Sequence, residues 1–280
     1  MLLAFAGQLP TNVLAITATA HASDPYHALS QISQVRVGVG VYKRMALFNH
    51  SCAPNAFVRF DNATLTLITS RDIAPHEQVC ISYGPHAAKM DGPARRHHLQ
   101  AQYFFWCECD ACGAAHVQSI HELPINFVER TQAVEDTIVR SIAQATSPGD
   151  FARIQDMATM VLHERQAVLP AAHVLVGRAY DLLAQVAATA GNFTCAASHS
   201  LKSLAILEAL YSPLDAELGH EYLKAAQLLY HAGQLDAVAS PLARAKAALS
   251  LHVPAHDPAL SDVAELTAML SVVRKHLPCS

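Results

Sequence analysis

The apolar positions of this chain follow two rhythms. Through residues 1–85 they come in short runs rich in β-branched residues, at 35–41, 56–60 and 64–69, which is a strand pattern. Asp61-Asn62 and Ala74-Pro75 supply turn punctuation, and Val79, Cys80 and Ile81 make a further strand-like run in which Cys80 reads as packing. Asp91-Gly92-Pro93 then opens a short basic segment, Arg95-Arg96-His97-His98, which predicts a helix leading into a cluster of cysteines. From about Pro124 the period lengthens to that of a helix, in Ala- and Leu-rich stretches broken at Ser147-Pro148-Gly149, Pro170, Gly191-Asn192, Pro213 and Gly233.

The helical half repeats itself. Ala190-Gly191-Asn192-Phe193 returns as Ala232-Gly233-Gln234-Leu235. Each copy follows an apolar helix and precedes an Ala-rich one, with glycine at the tight turn of a helical hairpin. This predicts a stacked array of helix hairpins similar to tetratricopeptide repeats, the plainer alternative being a generic helical bundle.

Composition narrows the picture. With 280 residues, 52% hydrophobic and 15% charged, the chain can bury a core and can form two modest domains. Nineteen basic against 23 acidic residues, with no basic stripe, predict no electrostatic grip on nucleic acid. The first residues resemble the start of a signal peptide and Thr19-Ala20-His21-Ala22 resembles a cleavage site. A charged n-region is missing, however, and Gly7, Gln8, Pro10, Thr11 and Asn12 interrupt the apolar run. No segment reaches the roughly 18 apolar residues of a membrane span, so no membrane partner is expected. Met1 is expected to lie inside a domain.

Two of the motifs carry chemistry. Cys107-Glu108-Cys109-Asp110-Ala111-Cys112 is a C-x-C-x2-C run offering three thiolates. A closed structural zinc site needs four, and Cys52, within Asn49-His50-Ser51-Cys52-Ala53-Pro54-Asn55, could be the fourth. One ion would then staple two distant segments. Clustered thiols can also be a redox site or buried structural cysteines, but so dense a run in an otherwise Cys-poor chain favours metal in a reducing compartment. Cys80, Cys195 and Cys279 are isolated and read as ordinary thiols, and His97 and His98 as a solvated helix face. Taken singly, Tyr83, Tyr103, Phe104, Phe105 and Trp106 read as packing, and Asn49 and Asn55 as turn residues.

As an ordered set these residues resemble a family. The 49–55 motif matches the N-H-S-C-x-P-N signature of SET-domain protein lysine methyltransferases. Residues 73–84, ending in Ser82-Tyr83-Gly84, resemble that family's strand ending in Ser-Tyr, and 103–112 its cysteine-rich post-SET segment. Order and spacing fit the SET-and-MYND subfamily, and the helical half is similar to its fourth, tetratricopeptide-bearing member. The resemblance implies an α+β chain: the C-terminal part of a SET domain (1–90), a zinc-bound post-SET segment (91–115) and an all-α repeat array (116–280). It implies S-adenosylmethionine as methyl donor and one structural Zn2+ held by Cys52, Cys107, Cys109 and Cys112. Asn49 and His50 would contact the methyl donor, Tyr83 would stand at the junction of cofactor pocket and lysine channel as the catalytic residue and a cofactor contact, and Tyr103 and Phe105 would wall the channel and stack near the cofactor's adenine. Asn12 would be a further cofactor contact. The partner would be a protein substrate presenting a lysine, with partner peptides on the helical repeats, in the cytoplasm or nucleus.

The chain also departs from the family. MYND-finger cysteines and an early Gly-x-Gly segment ahead of Gln8 are not found, Lys43 replaces a common proline, and His76 stands before Glu77 where the family commonly has glycine. The reading is therefore of an N-terminally incomplete methyltransferase. The alternative is a catalytically silent, zinc-stabilised adaptor that binds partner proteins on its helical array.

Overall fold

The computed structural model describes residues 13–21, 32–90, 92–113 and 126–276. They fall into two compact units. One holds 13–21, 32–90 and 92–113 together with 210–212; the other holds 126–209 and 213–276.

The first unit is built from small strand pairs. Strands β1 (Val13–His21) and β2 (Ile32–Val41) run antiparallel from Val13 opposite Val41 to His21 opposite Ile32, with a bulge between Ile16 and Thr17. The Thr19-Ala20-His21 stretch that resembles a cleavage site thus lies in a paired strand. A single 3-10 turn at Met45–Leu47 leads into β3 (Asn49–His50). Strands β4 (Ala56–Asp61) and β5 (Thr64–Thr69) form a hairpin in which Asp61 faces Thr64. Asn62 takes the left-handed conformation the turn needs (φ 52°), which asparagine tolerates better than branched residues do. Strand β6 (Cys80–Ile81) pairs parallel with β3, Asn49 opposite Cys80 and His50 opposite Ile81.

Helix α1 (Gly92–Tyr103) follows the Asp91-Gly92-Pro93 signal and presents His97 and His98 to solvent. The cysteine run then closes on a 3-10 turn, Asp110–Cys112. Two small cores result. Met45, Ala56 and Ile81 gather Phe48, Val58, Leu65, Leu67 and Val79 around them, whereas Leu99 is buried with Cys52, Cys107 and Cys112. Tyr83 packs against both.

The second unit is all helix among the described residues: α2 (Phe127–Ile142), α3 (Pro148–Val168), α4 (Val174–Thr189), α5 (Phe193–Leu210), α6 (Ala216–His231), α7 (Leu235–His252) and α8 (Pro258–His276). Ser147 and Asp150 close a reciprocal capping box on α3, with Pro148 in its first turn. The repeat read from the sequence is present in detail. His173, Asp215 and Asp257, spaced 42 residues apart, each accept a backbone N–H two residues on, at the starts of α4, α6 and α8. Gly191 and Gly233, again 42 apart, take φ of 79° and 73°. Around each glycine the same pair of bonds closes the helix: Gly191 N to Ala188 O with Asn192 N to Ala187 O, and Gly233 N to Tyr230 O with Gln234 N to Leu229 O. That is the Schellman arrangement, and a Cβ at either glycine would be strained.

Gly177 and Gly219 occupy matching positions in α4 and α6. A Cβ at Gly219 would stand 2.9 Å from the Ala248 Cβ of α7, and one at Gly177 would stand 3.3 Å from Ile206 of α5. Glycine there lets paired helices approach closely. Pro241 sits inside α7 without ending it, although it removes one backbone donor. Two buried charge clusters tie helices together. Arg165 of α3 reaches Glu135 of α2 (2.5 Å), Thr131 (3.2 Å) and the Leu175 carbonyl (2.9 Å). Lys224 of α6 lies 2.5 Å from both Asp181 and Glu221. Burial disfavours the Lys224 ammonium, but the two carboxylates outweigh it and hold the lysine charged. No helix among the described residues is long and apolar enough to cross a membrane.

Candidate functional site

The β3–β6 pair sets the site. Only two residues long, it aligns the Asn-His motif with the segment ending at Tyr83 and continues as a bond from Ser51 N to the Ile81 carbonyl (3.0 Å). Asn55 clamps the same two segments together. Its amide donates to Glu77 (3.0 Å) and to the Gln78 carbonyl (2.9 Å), while its oxygen accepts the Cys80 N–H (2.8 Å). Asn55 is therefore a buried brace as well as a turn residue, with three partners made on a segment more than 20 residues away. Glu77 is in turn held by Arg71 and by the Ala74 N–H, and this Arg71 hydrogen bond draws its carboxyl down to about 2. His76, beside it, is left-handed at φ 67°, a conformation that glycine adopts without strain.

The cysteine cluster assembles as the spacing suggested. The sulfurs of Cys52, Cys107, Cys109 and Cys112 lie within 4.8 Å of one another, and Cys52 Sγ stands 3.5 Å from Cys112 and 3.9 Å from Cys107. Four thiolates around zinc at 2.3 Å would place sulfurs about 3.8 Å apart, so the set fits a tetrahedral ion. Its electrostatics also ask for a cation. Hydrogen bonding by Cys52 draws the Cys109 thiol down to about 3, whereas hydrogen bonding to Cys109 and burial push Cys52 far above the ordinary thiol range. Without an ion, then, a thiolate at Cys109 comes at the expense of Cys52; a divalent ion would support thiolates at both.

His50 joins the cluster to the aromatic residues. Its Nδ1 accepts the Tyr83 N–H (3.0 Å), so the ring proton belongs on Nε2, which lies 3.2 Å from Cys52 Sγ and donates to it. Burial depresses the ring's pKa to about 4, keeping it neutral near pH 7. Both ring nitrogens are thus engaged within the protein. Asn49, next to it, is exposed.

Three rings surround Tyr83. Tyr103 lies 4.9 Å from it, His50 5.3 Å and Phe105 6.4 Å, the last edge-on. The Tyr83 hydroxyl donates to the Phe48 carbonyl at 2.6 Å, and the Tyr103 hydroxyl donates to the Tyr83 carbonyl at 3.0 Å. Burial raises the pKa of both phenols, so both stay protonated. Because its proton is fixed on Phe48, the Tyr83 oxygen keeps lone pairs with which to accept. The chain alternates beyond α1: Tyr103, Phe105 and Cys107 turn inward, while Phe104 and Trp106 are exposed at 74% and 58%. Phe104 sits at φ 61°, the cost of reversing direction there.

Asn12 and Cys279 lie outside the described residues; Cys80 and Cys195 are half-buried free thiols. The basic pair on α1 proves to be more than a helix signal. Arg96 donates to the carbonyls of Cys107 (3.1 Å) and Cys112, and Arg95 is buried against the cluster. Only their place one helix ahead of the cysteines hinted at this.

Residues 13–84 match the SET domain family. The chain is 29% identical over 94% of its length to the mouse (Mus musculus) protein named protein-lysine N-methyltransferase SMYD4, and 26% identical over 94% to the Danio rerio protein of that name. It is 24% identical over 79% of its length to the human histone-lysine N-methyltransferase SMYD1. The chain spans 36%, 42% and 49% of those relatives' lengths.

Proposed function

We propose that this chain, a SET-domain protein of the SET-and-MYND type and most like the SMYD4 proteins, serves S-adenosylmethionine-dependent methylation of protein lysines. The observation that carries the reading is Tyr83: a half-buried phenol among aromatic rings, proton committed to Phe48, lone pairs left over.

The chemistry requires such a group. A free lysine has a pKa near 10.4, so fewer than one in a thousand is neutral and nucleophilic at pH 7. Aromatic walls from Tyr83, Tyr103 and Phe105 disfavour the ammonium by desolvation and exclude water from the amine. The Tyr83 oxygen accepts a hydrogen bond from the neutral amine and turns its lone pair toward the reacting carbon. Holding nucleophile and electrophile in line supplies several kcal/mol. S-adenosylmethionine, when bound, supplies a methyl group on a sulfonium centre, a cation suited to aromatic faces. Asn49, which is exposed, and the His50 backbone would contact it, the His50 ring being already engaged.

A Cys52-Cys107-Cys109-Cys112 zinc has no open coordination position and does no chemistry. Cys52, Cys107, Cys109 and Cys112 would hold the ion and so tie the wall residues to β3, because Cys107 follows Phe105 by two residues and His50 bonds Cys52. A reducing compartment, cytoplasm or nucleus, suits free thiolate ligands.

The reading is tested with this chain, zinc, S-adenosylmethionine and lysine peptides. Tyr83→Phe is expected to lower transfer at least ~100-fold. Losing the bond to Phe48 should cost only about 1 kcal/mol of stability. Unchanged transfer would remove Tyr83 from its role. If the folded, zinc-loaded chain bound no S-adenosylmethionine in calorimetry, the adaptor reading on the helical array would take its place.

A further inference from the structure

We infer that Arg95 is a positioning residue for the four-cysteine metal site, neutralising its charge through Cys112. The inference depends on the metal site and not on the methyltransferase reading. Four thiolates around a divalent ion carry a net charge of −2. Buried charge of that size is costly unless hydrogen bonds and an opposite charge meet it.

Among the described residues, several donors reach the sulfurs. His50 Nε2 is 3.2 Å from Cys52, Cys52 N is 3.4 Å from Cys109, and Arg95 Nη2 is 3.5 Å from Cys112. The first belongs to a ring whose other nitrogen, Nδ1, accepts the Tyr83 N–H, leaving it one proton, and the second is a backbone amide, so among these donors only Arg95 brings charge. Its burial is hard to explain otherwise. The residue is 4% exposed and belongs to a helix of largely polar residues. Its fork is locked by the Met90 carbonyl on Nη1 (2.5 Å) and the Ala111 carbonyl on Nη2 (2.6 Å). Two carbonyls alone would not compensate the burial of a guanidinium; a dianionic cluster beside it would.

The adjacent Arg96 supplies the control. It holds the same loop through the carbonyls of Cys107 and Cys112, but no bond of Arg96 to a sulfur is among its hydrogen bonds. Removing either arginine loosens the loop, whereas removing Arg95 also strips charge from a ligand.

The test uses the full chain loaded with zinc or cobalt, with Arg95→Met, Arg95→Lys and Arg96→Met variants. Competition with a chromophoric chelator should show Arg95→Met weakening zinc binding 10- to 100-fold. Arg95→Lys should recover part of that, and Arg96→Met should lose clearly less than Arg95→Met. In the cobalt form, removing positive charge beside Cys112 raises the sulfur donor level. The thiolate-to-cobalt charge-transfer band should therefore move to longer wavelength in Arg95→Met and stay in place in Arg96→Met. Circular dichroism reports whether each variant is folded. Should Arg95→Met not fold, Arg95→Gln, which keeps a hydrogen-bonding amide but loses the charge, carries the test, and an unmoved cobalt band there overturns the inference. Equal zinc loss in Arg95→Met and Arg96→Met, with unmoved bands, would make Arg95 a loop clasp and overturn the inference. A wild-type chain that takes up no metal would overturn the site itself.

Discussion

The two units of this protein stand on different physics. The helical unit is self-sufficient: its helices bury apolar faces, its caps and Schellman turns recur every 42 residues, and its buried charges are paired. The strand-and-cysteine unit has little of this. Its pairs are two-stranded, its central parallel pair is two residues long, and its cores centre on Met45, Ala56 and Ile81 and on Leu99 with three cysteines. Two-stranded pieces are marginal in water. The lesson is that the unit richest in chemistry gathers four cysteines where a metal could hold it together, while the helical unit has packing and paired buried charges of its own.

Stripping the metal should separate the two most sharply. A structural zinc contributes on the order of 10 kcal/mol to its domain. Chelation should therefore melt the segment around Phe105 and Cys107, seen as loss of amide protection across 99–113. Helical ellipticity from α2–α8 should persist. Simultaneous loss of both signals would refute the contrast.

The helical unit should break by a different route. Glu135→Leu leaves the Arg165 guanidinium buried without its carboxylate, at an expected cost of about 3–5 kcal/mol. Denaturant melts should show this in the helical transition, with cobalt binding by the cysteines unchanged. Gly219→Ala drives a methyl to 2.9 Å from the Ala248 Cβ and should cost about 1–3 kcal/mol there. Gly177→Ala, whose nearest neighbour is 3.3 Å away, should cost less in the same melts.

The smallest effect is a gain. His76→Gly relieves a left-handed backbone in the strand unit and should stabilise it by roughly 0.5–1 kcal/mol, after the added flexibility of glycine in the unfolded chain. A loss of stability would show that the His76 side chain makes a compensating contact.

Much of this was legible in the residues. The hairpin at 56–69, the helix after Asp91 and the repeated Ala-Gly turns follow from short-range rules, since period, caps and turn residues act within a few positions. β1 carries a weak local signal, because its alternation of alanine and threonine offers little hydrophobic contrast; its pairing with β2 defines it. Asn55 read as a turn residue, yet its partners are at 77–80. Pro241 shows a proline that a helix tolerates, which propensity alone disfavours.

The sequence by itself determined which residues could be ligands and which stretches would be helix, because thiol chemistry and local backbone preference belong to the residue. Only the tertiary structure decided that four sulfurs meet, that His50 spends both ring nitrogens between Cys52 and Tyr83, and that Tyr83 gives its proton to Phe48. It also decided that Arg95 turns inward while His97 and His98 do not. These outcomes depend on distances between segments 16 to 60 residues apart along the chain. Closing such loops is decided by packing and charge in three dimensions, which no local pattern records.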